Sequence, residues 1–195
     1  GARITGRNVV LRDTRPDDAS GMFGRALQVA DGAQVELTRA AVFGNREFGL
    51  FVNDPESTLV LTDAVVRDTD EMVYGSDFGR GLAVQDGGHA TCTRTVFEGN
   101  REIGVSADGT GAVVELLDSV VRDTRSGARA QDWGFGLYAQ LGGRVVASRT
   151  LVERNRSLGA GVQGAGAVVD LTDSVVRDTL PMERDDTGGA GASAE

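Results

Sequence analysis

VVRDT is written at residues 65–69, 120–124 and 175–179, and VVLRDT opens the same series at 9–14. The arginines of these stretches, Arg12, Arg67, Arg122 and Arg177, stand 55 residues apart with no insertion or deletion between them. Other positions keep that step. Asn45, Asn100 and Asn155 do so, as do Arg39, Arg94 and Arg149, and Asp63, Asp118 and Asp173. A fixed period of this kind marks a repeat architecture, in which each unit buries its apolar face against the next. The same regularity is a poor guide to function, because stacking by itself accounts for most of the recurring residues.

Composition narrows the class. In 195 residues the hydrophobic share is 40%, enough for a real core, while aromatics make up 5% and glycine numbers 28. Many tight corners around a narrow interior fit those values. A net charge of −9 argues against a nucleic-acid partner. All 20 basic residues are arginine, whose codons are GC-rich, which points to a high-GC bacterial genome. Cys92 is the sole cysteine, so no intrachain disulfide can form. No apolar run approaches transmembrane length, so membrane insertion is not expected, and no signal peptide is visible. The chain opens in mid-repeat and closes on a Gly/Ala-rich stretch at 188–194, which reads as a fragment or processed domain of something longer.

The 55-residue unit divides into a shorter part, of 23 residues at 81–103, and a longer one, of 32, that starts at Gly104. Both run from glycine through an alternating apolar pair, a Gly-rich corner, a second alternating strand and another corner to Val-Val or Val-Phe. Short β-branched runs broken by glycine are strand and turn signals, and helix start and stop signals are missing. This pattern resembles the right-handed parallel β-helix, the pectate-lyase-like solenoid, over about residues 1–179. The resemblance rests on the coil length, the glycine corners and the Asn45/Asn100/Asn155 column. It implies an all-β fold of about seven coils, a rod of roughly 30–35 Å at about 4.8 Å per coil. Repeats would span 24–78, 79–133 and 134–188, with a partial coil at 1–23 and a flexible C-terminal tail at 180–195. Leucine is too sparse for a leucine-rich repeat, and three and a half units could hardly close a propeller.

Superposing the half-repeats predicts columns of side chains. Arg39, Asp63, Arg94, Asp118, Arg149 and Asp173 alternate in sign. So do Arg67, Glu98, Arg122, Glu153 and Arg177, above Phe43. A third column alternates Thr14, Asn45, Thr69, Asn100, Thr124, Asn155 and Thr179. Opposite charges one strand spacing apart attract, and a one-level slip would set like against like. These columns read as devices that hold register, since a catalytic group is needed once and these recur at every level. The inward positions are expected at Val65, Val96, Val120, Leu151 and Val175, with Cys92 inward beside Leu37 and Ala147. Gly32, Gly87 and Gly142, and Gly49, Gly104 and Gly159, mark corners that need positive φ or close approach. GAGVQGAG at 159–166 lacks the Lys-Ser/Thr ending of a phosphate loop.

Variation inside a regular frame is where function concentrates. The longer coils carry loops at about 15–23, 70–78 and 125–133 whose sequences differ, each closing on an aromatic: Phe23, Phe78, Trp133. The candidate ligand-binding residues are Tyr74, Asp77, Phe78, Arg125, Arg129, Asp132, Trp133 and Tyr138. Aromatic faces beside carboxylates suit a sugar ring, and the two arginines suit an acidic one. The plainer reading has the aromatics pinning loops to the wall. His89 and Cys92 lack further ligands for a metal, and the loop acids Asp17, Asp18, Asp54, Asp70 and Glu71 follow no calcium motif, so no metal or cofactor is expected.

The β-helix resemblance implies a family that holds pectate lyases, polygalacturonases and epimerases alongside tailspikes, adhesins and surface proteins without chemistry. Neither the acidic cluster with an Arg or Lys base of the lyases nor the aspartates with histidine of the hydrolases maps onto this chain. The first reading is a non-catalytic structural or binding module of a bacterial envelope or secreted protein, extracellular or in the cell envelope. The alternative is a polysaccharide-active lyase, hydrolase or epimerase working on the loop face. Expected partners are a polysaccharide or another envelope protein, with end-to-end self-association through an exposed strand edge as a further option.

Overall fold

A computed structural model describes residues 1–73 and 78–195. Among the described residues there are nineteen strands and no helix. In the first sheet one file of strands runs Arg3–Arg7, Gln34–Thr38, Thr58–Arg67, His89–Glu98, Val113–Leu117, Arg144–Ser148 and Val168–Thr172. Beside it runs a file of shorter strands, Val10–Arg12, Ala41–Phe43, Val120–Arg122, Leu151–Glu153 and Val175–Arg177. The long strands Thr58–Arg67 and His89–Glu98 serve both files. The second sheet stacks Leu27–Val29, Glu47–Asn53, Gly79–Gln85, Ile103–Asp108, Phe135–Gln140, Leu158–Gln163 and Ala190–Ala194. All of these pairings are parallel, and the chain visits the two sheets in turn, adding one level to each. The protein is all-β with two many-stranded parallel sheets, an arrangement compatible with a parallel β-solenoid. The strand Ala190–Ala194, which pairs with Leu158–Gln163, falls in the stretch that the sequence reading treated as a tail.

Paired residues lie 24 or 31 positions apart in the first sheet and 23 or 32 in the second. The long loop therefore supplies most of the difference between levels, and the corner entering the first sheet shifts the count by one. Between the sheets lies a continuous apolar interior. Leu37, Leu61, Cys92, Leu116 and Ala147 face it from the first file, and Leu50, Leu82, Val105, Leu137 and Ala160 from the second sheet. Each such large side chain stabilises the fold by about 1.5–3 kcal/mol. Cys92 is fully buried there, which pushes its thiol up to about 12 and leaves it inert.

The second file corrects the expected inward set. Val66, Phe97, Val121 and Val152 are buried, while Val65 is half-buried and Val175 is exposed. Strict alternation continued from Leu61 would turn Val65 inward. Asp63 intervenes in the left-handed region at φ 55°, as do Arg94 at 48°, Asp118 at 51° and Arg149 at 47°. One such residue advances the alternation by one, and a one-residue shift exchanges the two faces.

Backbone groups at the corner after the second file are satisfied by the Asn/Thr column. The side-chain oxygens of Asn45, Asn100 and Asn155 each accept the N–H of Thr14, Thr69 and Thr124 on the level below, all at 3.1 Å. Their amide nitrogens donate to the carbonyls of Leu11, Val66 and Val121 at 3.4, 3.1 and 3.1 Å. Asn100 is fully buried. Gly104 then approaches the next level so closely that a Cβ would lie 2.8 Å from the carbonyl oxygen of Gly136 and 2.6 Å from Val121.

The charge columns stack in the expected order, but bonding is pairwise. Arg94 reaches down to Asp63 at 2.5 Å, and Arg149 grips Asp118 with two bonds of 2.6 and 3.0 Å. In the neighbouring column Arg122 closes on Glu98 and Arg177 on Glu153, each at 2.7 Å. Arg67 instead lies over the Phe43 ring, 4.9 Å from its centroid. Guanidinium neighbours hold the carboxyls of Asp63, Asp118 and Glu153 below the ordinary carboxylate range.

Candidate functional site

The loops form a stack of their own beside the second sheet. A repeated arginine at the preceding corner fastens the loops that start near residues 70, 125 and 180. Arg46 donates to the Glu71 carbonyl at 2.7 Å, Arg101 to that of Ser126 at 3.0 Å and Arg156 to that of Pro181 at 2.9 Å. Loops two levels apart also touch. The Val73 N–H donates to the Gly21 carbonyl at 3.2 Å, the Ala128 N–H to the Glu71 carboxylate, and the Arg184 N–H to the Gln131 carbonyl at 3.0 Å.

Several candidate residues have neighbours of opposite charge or backbone partners in and beside this stack. Arg129 donates to the Val73 carbonyl. Asp132 pairs with Arg184 at 3.6 Å, and Arg125 stands 4.0 Å from Asp68. The loop acids are engaged likewise. Glu71 holds the Ala128 N–H, Asp70 receives Arg101 at 2.9 Å, and Asp17 accepts the N–H groups of Ala19 and Ser20. Tyr74 and Asp77 lie outside the described residues. Among the described residues no three His, Cys, Asp or Glu side chains gather in a way that suits a metal ion.

On the outer side of the second sheet the repeat builds three stations, at Arg25, Arg80 and Phe135, each 55 residues from the last. At the first, the Arg25 guanidinium lies 4.4 Å from the Phe51 ring, 5.2 Å from Phe48 and 5.3 Å from Phe23, and forms two bonds of 2.7 and 2.8 Å with Glu47. At the second, Arg80 lies 5.0 Å from Phe78 and pairs with Glu102 at 3.1 Å, both side chains 7% exposed. Phe78 also packs against Phe48 with centroids 5.6 Å apart. Phe78 is thus packed against the second sheet by Phe48 and Arg80.

The third station differs. Phe135 stands where the arginines were, and Ser157 where Glu47 and Glu102 were. Trp133, Phe135 and Tyr138 come together, with centroids 4.9 Å apart for Trp133–Phe135, 5.1 Å for Phe135–Tyr138 and 5.9 Å for Trp133–Tyr138. The level above sets Gly161 beside Tyr138, and two levels above Gly188 and Ser193 stand at the positions of Trp133 and Tyr138. A cavity of about 300 Å3 opens there, lined by the three rings, Leu158, Gln163 and Glu195 among others. The Tyr138 hydroxyl donates to the Gln163 amide oxygen at 2.7 Å. Burial, and then the nearby Glu195 carboxylate, raise the tyrosine's pKa above its ordinary value, so it stays a neutral donor.

Of the sequence candidates, the structure joins Trp133 and Tyr138 at this cavity. Phe135, Ser157, Gln163 and Glu195 escaped the sequence reading. The signal was present as the 55-residue step Arg25, Arg80, Phe135 and its partner series Glu47, Glu102, Ser157, in which a charge pair disappears as a unit. Two larger hollows, of about 360 and 380 Å3, are the open ends of the apolar interior, lined by residues such as Val169 and Leu171 at one end and Ile4 and Val35 at the other. In comparisons with known proteins no family model matches the chain, and no curated protein or solved structure shows significant similarity to it.

Proposed function

We propose that the chain is a right-handed parallel β-helix of about seven coils, a two-coil, 55-residue repeat of the pectate-lyase-like kind, acting as a non-catalytic binding module of a bacterial envelope or secreted protein. Its binding face is the loop side of the second sheet, at Trp133, Phe135 and Tyr138. The observation that carries this reading is the cavity at the third station, where the repeat's own filling is replaced by the half-buried rings of Trp133 and Phe135, the buried Tyr138 and small residues. A ligand pocket commonly holds an apolar floor and a few polar groups, which here are Tyr138, Gln163, Ser193 and Glu195. The carboxylates elsewhere on the chain are largely engaged by arginines or backbone N–H groups, which favours binding over acid–base chemistry. Trp133 is the only tryptophan, so its emission reports on the face directly. Ligands from a panel of glycans and envelope-derived peptides should shift that emission saturably. Release of unsaturated or shortened products from pectin, polygalacturonate or alginate, abolished by an acid-to-amide substitution, would replace this reading with an enzymatic one.

A further inference from the structure

The chain shows twice what its outer face accepts. At Arg25 and again at Arg80 a guanidinium rests on aromatic rings and is met by a carboxylate, Glu47 or Glu102. The third station keeps the aromatic half of that arrangement and enlarges it, with tryptophan, the strongest cation-binding ring, in place of Phe23 and Phe78. It has lost both charges of its own, and the cavity beside it has a different carboxylate on its wall, Glu195. The arginines nearest in the loop stack are already paired, Arg156 with Glu183 at 3.0 Å and Arg184 with Asp132 and Asp185.

We infer that this cavity receives an arginine side chain from a partner protein, its guanidinium laid against Trp133, Phe135 and Tyr138 and held by the Glu195 carboxylate. The inference rests on the reading that this is the binding face, and adds the class of ligand. A guanidinium suits the site better than an ammonium because it is flat, stacks on rings and carries donors along its edge for Glu195 and for the Gln163 amide oxygen. The cavity, at about 300 Å3, is at the small end of ligand sites, which fits one inserted side chain better than a run of sugar units.

The probe is acetyl-Gly-Arg-Gly-amide, set against the same peptide with citrulline, which is nearly isosteric but uncharged, and read through Trp133 emission. Saturable binding of the arginine peptide, roughly tenfold tighter than citrulline and weakened by salt, is expected. The Glu195→Gln variant should bind the arginine peptide roughly tenfold more weakly with an unchanged melting temperature. The double variant Phe135→Arg with Ser157→Glu rebuilds the pair of the other stations and should abolish binding while the protein stays folded. Equal binding of the citrulline peptide, or full binding by either folded variant, overturns the inference. A saccharide that shifts the emission and is not displaced by the arginine peptide also overturns it, yet leaves the binding face in place. Emission that no glycan and no peptide moves removes both readings.

Discussion

Asp118 shows how much one residue of a repeat can carry. It is gripped by Arg149 from the level above and feels Arg94 from the level below. Asp118→Arg would stack three positive side chains on successive levels, so the variant should melt at a lower temperature at low salt and recover partly as salt is raised. An unchanged melting curve at low salt would mean that the column does not hold register. The same pairs set a pH dependence. Asp63 and Asp118, ordinarily at 3.8, and Glu153, ordinarily at 4.5, are all lowered in the folded protein by bonding to arginines. The unfolded chain therefore binds more protons in acid, and the stability that these groups contribute is complete above about pH 5 and lost as pH falls through 4 toward their lowered values. Thermal melts from pH 6 down to pH 3 should show that decline, and a flat series would contradict it. At this scale the sign alternation was plain in the sequence. Which acid each arginine grips was not, because a column offers two neighbours and only the side-chain geometry selects one.

Strands and corners are held by backbone-directed bonds that repeat with the sequence. The column of Asn45, Asn100 and Asn155, alternating with threonine levels, was legible from its period, and its expected role was to hold register. The bonds that do so run from each asparagine to the main chain of the threonine level below it, which the period did not specify. Asn100→Ala leaves the buried Thr69 N–H and Val66 carbonyl without this partner, at about 1–3 kcal/mol for each group. Denaturant unfolding should show a loss of at least that size, and a variant as stable as the parent would show that the two groups find other partners. The strand phase was less legible. Period-two reading placed Val65 inward, and the left-handed residue at Asp63 moved that place to Val66. Nothing in the alternation of apolar residues announces a phase shift, because two adjacent valines satisfy either choice.

Across the whole stack, the levels alternate and both ends carry the same kind. Thr14 is at one end and Thr179 at the other, with Asn levels only between them. A second copy docked end to end in register would set Arg177 on Arg12, Asp178 on Asp13 and Thr179 on Thr14, and would supply no asparagine to the Thr179 N–H. Like charges one strand spacing apart repel. The 195-residue chain is therefore expected to sediment at one molecular mass as its concentration is raised, despite exposed strand edges. The three substitutions Arg12→Glu, Asp13→Gly and Thr14→Asn copy the intervening levels, where Gly44 and Gly99 precede Asn45 and Asn100, and should promote concentration-dependent stacking, and growth of the parent chain itself would contradict the argument. What the sequence by itself determined is the register: an indel-free period specifies which residues share a column, and so the order of charges, amides and glycines along the stack. The tertiary structure alone decided where a candidate site can form. Asp132 and Arg129 look as available in sequence as Trp133 and Tyr138, yet the loops stack on one another and engage both. Phe135, Ser157 and Glu195 meet Trp133 only because strands far apart in sequence are brought side by side, and a cavity is a property of what neighbouring levels leave unfilled.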